Sequence, residues 1–147
     1  MQALPTSVLF CCTYNAIRSP MAEGILKSLQ PRRIYVDSCG IRQGELDPFV
    51  VAALDEIGID LSRHRPKLFE ELEDESYDLV ITLSPEAHHR ALELTRTIAC
   101  DVVYWPTLDP SITEGTREMR LDAYRMVRDQ IYDRVLKTFP VSGGPTP

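Results

Sequence analysis

The chain has 147 residues, 44% of them hydrophobic and 26% charged, a size and balance that suit one globular domain with a real core. It contains no apolar run of about 18 residues, which excludes a membrane-spanning helix. Its net charge of −6 comes without a basic block, which argues against a nucleic-acid partner and leaves any anionic substrate to be captured by a local positive site.

The N-terminal Met1 to Thr6 lacks the basic start and long apolar stretch of a signal peptide, so a cytoplasmic location is expected. Ser7 to Cys12 is then a continuous apolar run suited to a strand covered on both faces. Ser19-Pro20 reads as a helix start, with Ser19 as cap and Pro20 in the first helical position, before Met21, Ala22, Ile25, Leu26 and Leu29 at helical spacing. A second strand is expected at about Ile34 to Ser38, ending at Cys39-Gly40. Asp47-Pro48 repeats the cap-and-proline start for a helix stopped near Gly58. A short acidic helix is expected at Leu68 to Asp74 and a third strand at Tyr77 to Leu83. A helix from Pro85 to Thr95 follows, then a short fourth strand at Asp101 to Tyr104. The last helix runs from about Thr116 to Lys137, and the tail from Val141 to Pro147 has no core-forming residues and is expected to be disordered. Strand–helix alternation implies one α/β domain, residues 1–140, built on a parallel sheet whose ligand site lies beyond the carboxyl ends of the strands.

The four cysteines contain no C-x-x-C pattern. Cys11 and Cys12 are adjacent on a strand and so point to opposite faces. Cys11, Cys39 and Cys100 read as small buried hydrophobes in a reducing compartment. No metal site is expected: His88 and His89, neighbours on a helix, face different directions.

Cys12 is set apart by the residues on its carboxyl side. Thr13, Tyr14, Asn15, Ala16, Ile17, Arg18 and Ser19 join a buried strand to a helix N-terminus, where free N–H groups and the helix dipole favour an anion. A loop curled at that point aims further N–H groups inward as a nest, and Arg18 adds a planar guanidinium that clamps two phosphate oxygens. This positive surrounding favours the thiolate of Cys12, a nucleophile aimed at phosphorus. Ser19 can donate a hydrogen bond to the sulfur, and Asn15 tolerates left-handed backbone. Asp109, held before Pro110 in a loop on the same sheet edge, is the candidate proton donor for the leaving group, whereas Asp47-Pro48 reads as a helix start only.

These residues resemble the low-molecular-weight protein tyrosine phosphatase family, which is related to the thioredoxin-coupled arsenate reductases. The likeness is carried by Val8-Leu9-Phe10, Asn15, the run Arg18 to Glu23, Asp37-Ser38 with Gly40, Gly58-Ile59-Asp60 with His64-Arg65, Tyr77-Asp78-Leu79 and Asp109-Pro110, and spans about residues 7–138. The resemblance implies a four-stranded parallel sheet flanked by helices on both faces, flavodoxin-like, with no metal or cofactor. It implies a phosphocysteine mechanism acting on a phosphorylated protein or small phosphomonoester. Cys12 matches the nucleophile, Arg18 the phosphate clamp, Ser19 the thiolate donor and Asp109 the general acid; Asn15, Ser38 and His64 match positions that brace the loop. On the residues alone, His64 reads as a surface or capping histidine.

Three departures bear on specificity. Tyr14 stands where the family usually has Gly. Ile17 replaces a second loop cysteine, so a protective disulfide inside the loop is not available. The aromatics that commonly wall the pocket are missing, leaving Tyr14, Tyr104 or Trp105 to replace them. The nearest rival reading is a thiol-linked arsenate reductase. Ser84 occupies the place expected for its first relay cysteine, and Cys100 is the candidate resolving thiol. A non-catalytic phosphate-binding module, with Tyr14 blocking turnover, is a further alternative; it has no need of Asp109.

Overall fold

A computed structural model describes residues 4–72, 76–96 and 99–141. Four strands form one parallel sheet: β1 (Ser7–Cys12), β2 (Tyr35–Gly40), β3 (Leu79–Thr82) and β4 (Asp101–Tyr104), in the spatial order β2-β1-β3-β4. The helices are α1 (Arg18–Leu29), α2 (Pro48–Asp55), α3 (Pro85–Leu94) and α4 (Arg117–Thr138), with short 3₁₀ turns at Phe69–Glu71 and Pro110–Ile112. β1 is central, and the chain moves from it first to β2 on one side and later to β3 on the other. Its carboxyl end is therefore the point where the winding reverses, the place where α/β sheets leave a crevice for a ligand.

The apolar runs find two covers because β-strand side chains alternate. Val8, Phe10 and Cys12 face the larger core with Met21, Ile25 and Leu26 of α1, Val50 and Leu54 of α2, and Tyr124, Val127 and Ile131 of α4. Leu9 and Cys11 face the smaller core with Cys39, Val80, Ala87 and Ala91. Cys11 and Cys12 thus do point to opposite faces, as the strand period requires.

Boundaries shift where pairing or capping outweighs composition. β2 runs on through Cys39-Gly40 because Cys11 and Cys12 remain in register with them, and the Gly40 N–H is then taken by the Lys67 carbonyl at 2.8 Å. β3 is shorter than the apolar run, since β4 pairs with only four of its residues. α1 begins at Arg18, and Ile17 rather than Ser19 takes the cap position with no side-chain cap. Pro20 still falls in the first turn, where its missing N–H breaks no helical bond. Asp47 caps α2 as expected, its carboxylate accepting from Phe49 N at 2.8 Å, and Gly58 after that helix takes φ +80, the left-handed region open to glycine. Ser84 caps α3 and Thr116 caps α4. The short acidic helix reduces to the turn at Phe69–Glu71, its expected end at 73–74 lying outside the described residues, as do positions 142–147 of the expected tail.

No helix of the described residues is long and apolar enough to cross a membrane. Leu26 is fully buried in the larger core, alongside residues of α4. Leu26→Ala is expected to lower stability by about 2–5 kcal/mol, read from urea unfolding, with the folded circular-dichroism spectrum retained.

Candidate active site

The loop Thr13–Ile17 closes over the carboxyl end of β1. Cys12 is 2% exposed at its base. The Cys12 sulfur lies 2.9 Å from the Ser19 hydroxyl and 3.4 Å from the Ser19 backbone N–H.

One side chain sets the loop's shape. Asn15 is the single non-glycine residue with positive φ among the described residues, at φ 55, and it is fully buried. A left-handed residue costs roughly 1–2 kcal/mol unless its surroundings hold it. Here the holding is dense: Asn15 Oδ1 accepts from Lys67 N at 3.0 Å and lies 3.1 Å from His64 Nε2, while Nδ2 donates to both Ser19 Oγ and Ser38 Oγ at 2.8 Å. The Lys67 N–H fixes which end of the amide is oxygen. Ser38 Oγ then donates to Glu23 Oε1. Ser19 Oγ accepts from Asn15, and its own hydrogen has the Cys12 sulfur at 2.9 Å and the Cys39 carbonyl at 3.5 Å within reach. The Ser19 backbone N–H donates to the Cys12 sulfur, and the Ser19 hydroxyl lies against the same sulfur.

His64 is thereby neither surface nor cap. Its Nε2 also lies 3.2 Å from the Asn15 carbonyl, so it donates to two oxygens of one residue, and its Nδ1 faces Glu23 at 3.9 Å. Burial lowers its pKa, opposed by the Glu23 carboxylate and the Asn15 hydrogen bond, with Lys67 and Lys27 adding to the lowering. Glu23 is a brace with no role assigned from the sequence, although it ends the Arg18–Glu23 run. Nothing in sequence spacing links it to Ser38; the contact arises because α1 packs across β2.

The neighbouring loops fasten the rest. Thr13 carbonyl accepts from Ile41 N and Arg42 N, both at 2.8 Å, and Thr13 Oγ1 donates to Ser84 Oγ at 3.0 Å. Ala16 carbonyl is met by Asp47 N at 3.4 Å. Gly40 has no room for a side chain, since an added Cβ would come within 2.7 Å of the Asn15 nitrogen and the Tyr14 carbonyl carbon. Arg18 donates from Nη1 to the Thr107 carbonyl at 3.0 Å, which ties the segment leading to Asp109 onto the anion loop. Asp109 caps the turn after it through Oδ1, which accepts from Ser111 N at 2.9 Å and Ser111 Oγ at 2.6 Å. Its other oxygen, Oδ2, carries no hydrogen bond among the described residues.

Of the three aromatics considered as pocket walls, two are committed elsewhere. Trp105 is 4% exposed, packed on Phe10 at 6.0 Å and covered by Arg134. Tyr104 stacks on His88 at 4.7 Å. Only Tyr14, 46% exposed within the loop itself, is free to flank a substrate. Cys100 immediately precedes β4, at the amino edge of the sheet, whereas Cys12 ends β1 at the carboxyl edge. The length of a strand separates them, so Cys100 does not meet the nucleophile as a resolving thiol. Ser84 is a buried helix cap bonded to Thr13.

A loop pinned by an asparagine thus lies over a buried cysteine, with an arginine at the start of the following helix. The family profile "Low molecular weight phosphotyrosine protein phosphatase" matches residues 7–139, and the chain belongs to that family. Among its relatives are the arsenate reductase of Halalkalibacterium halodurans, 36% identical over 92% of this chain and 96% of that protein, and the glutaredoxin arsenate reductase of Synechocystis sp., 35% identical over 87% and 92%. The Erwinia amylovora tyrosine phosphatase amsI shares the fold with a TM-score of 0.75, covering 92% of each chain at 20% identity.

The surroundings of His64 make stability depend on pH. With its folded pKa below the ordinary 6.5, the unfolded chain binds the proton first as pH falls. Stability from the neutral imidazole is therefore complete above about pH 6.5 and is lost as pH drops toward the lowered folded value. His64→Gln, which keeps a donor for the Asn15 oxygens, is expected to flatten the dependence of unfolding free energy on pH from about 7 to 5. Urea unfolding across that range measures it, and equal slopes would refute the assignment.

Proposed function

We propose that the protein hydrolyses phosphomonoesters through a phosphocysteine formed on Cys12. The observation that carries this reading is the pairing of the Ser19 backbone N–H and hydroxyl on the Cys12 sulfur, inside a loop whose backbone is left-handed at Asn15. A bound phosphoryl group would be held by the loop N–H groups of Thr13 to Arg18 and by the Arg18 guanidinium, whose other nitrogens remain available beside the bond to Thr107. The sulfur attacks phosphorus as the ester oxygen leaves with the proton of Asp109. Asp109, now a carboxylate, takes a proton from water as that water displaces the sulfur, and phosphate is released. Ser19 stabilises the departing thiolate. Tyr14 flanks the leaving group, so aryl phosphates, including protein phosphotyrosine, are the substrate class this reading favours.

Arsenate reduction is the second reading, supported by the names of the relatives at 35–36% identity. Arsenate would occupy the same cradle, with Cys12 as attacking thiolate. The placement of Cys100 at the far edge of the sheet means that electrons would then come from a separate thiol, small or protein-borne, rather than from an internal relay.

One set of assays separates the readings. Aryl phosphate turnover by the unmodified chain is expected to vanish in Cys12→Ser and to fall roughly 10²–10⁴-fold in Asp109→Ala. Turnover surviving Cys12→Ser would refute the mechanism. Arsenate-dependent oxidation of glutathione with glutaredoxin, in the absence of aryl phosphate turnover, would establish the second reading in place of the first.

A further inference from the structure

The sheet face opposite the nucleophile holds two thiols for which the proposed chemistry has no use. Cys11 and Cys39 are in-register partners on β1 and β2, both fully buried and both free, with their sulfurs 3.3 Å apart. Adjacent strands lie about 4.8 Å apart, inside the Cα separation of about 4.4–6.8 Å that a disulfide spans. Closing the sulfurs to the bonded distance of about 2.05 Å asks for a movement on the order of 1 Å.

We propose that Cys11 and Cys39 are a redox-modification site: peroxide joins them in a reversible disulfide that loosens the anion loop. The chemistry balances within the pair. One thiol is oxidised by peroxide to a sulfenic acid and one water leaves; the second sulfur attacks the first, the S–O bond breaks and a second water leaves. Two thiols and one peroxide thus give one disulfide and two waters. Cys12 cannot serve as partner because its side chain faces the other core, and the loop offers Ile17 where a second thiol would be needed.

Strand register carries the effect to the loop. The Cys11–Cys39 pair immediately precedes the pair Cys12–Gly40. Gly40 is the backbone on which Thr13, Tyr14 and Asn15 rest, and the Cys39 carbonyl lies 3.5 Å from the Ser19 hydroxyl that serves the nucleophile. Drawing Cys39 toward β1 displaces both supports. The hydrogen bond with Cys11 and burial hold the Cys39 thiol well above its ordinary pKa, so Cys39 rests protonated.

The Cys12→Ser/Cys100→Ser double variant keeps only Cys11 and Cys39 of the four cysteines. After peroxide treatment its monomer is expected to lose the mass of two hydrogens, and a non-reducing peptide map should join the Cys11 and Cys39 peptides. Calorimetric titration with inorganic phosphate is expected to show roughly tenfold weaker binding, reversed by dithiothreitol, equivalent to one lost hydrogen bond to a charged group. The binding arm rests on the oxyanion reading of the loop; the mass arm does not. Should the double variant fail to fold, the same map on the unmodified chain, oxidised with phosphate present, decides. Oxygen addition without cross-linking, a disulfide only between chains, or an internal disulfide with unchanged phosphate affinity would overturn the proposal.

Discussion

The site depends on Asn15 standing in a left-handed conformation. With φ at 55, the chain reverses direction between Tyr14 and Ala16, and the loop curls over Cys12 instead of passing straight from strand to helix. Such a residue is stable only when its surroundings over-determine it. Four partners do so, from α1 (Ser19), β2 (Ser38) and the segment between α2 and β3 (His64 and Lys67). The same amide that holds the turn also donates to Ser19 Oγ, which lies 2.9 Å from the Cys12 sulfur. The turn of the loop and the surroundings of the Cys12 sulfur therefore share one hydrogen-bond network.

The fold supplies the place for that network at low cost. In the order β2-β1-β3-β4 the central strand delivers Cys12 to the crevice, α1 starts directly above it, and the connections after β2, β3 and β4 converge on the same edge. Arg18 tethers the Thr107–Asp109 segment to the loop, and in the proposed chemistry it is also the cation for the oxyanion. The relatives are named as arsenate reductases, and arsenate and phosphate are oxyanions of like shape and charge. The decisive physical difference is the supply of thiols. In the proposed phosphatase chemistry the further groups are water and Asp109; arsenate reduction calls for a further sulfur at Cys12, which Cys100, at the other edge of the sheet, does not supply.

Much of this was legible in the residues because local patterns carry it. The apolar run Ser7–Cys12, the turn from Cys12 to Ser19 and the Asp47-Pro48 and Asp109-Pro110 pairs are read within a few positions of chain, and the alternation of strands with helices implied the parallel sheet. The misreadings share a cause. Ser19 reads both as a helix cap and as a partner of the sulfur; the cap falls to Ile17, while the hydroxyl meets Cys12 and also Asn15, a contact defined by the fold of the loop. Glu23 and Lys67, which drew no role from the sequence, act across separations set by how α1 and the segment before β3 pack on β2, and His64, a brace by resemblance but a surface or cap residue by local pattern, does the same. Trp105 and Tyr104 looked free to wall a pocket, and the core and His88 claim them. The closeness of Cys11 and Cys39 is a matter of strand register, which composition does not encode.

The central claim is covalent: Cys12 takes the phosphoryl group. Rapid acid quenching of the protein during turnover of an aryl phosphate, with peptide mass mapping afterwards, tests it directly. The expected result is one added phosphoryl group on the Cys12-bearing peptide, absent in Cys12→Ser. A phosphoryl group on any other residue, or steady turnover with none on the protein, would contradict it.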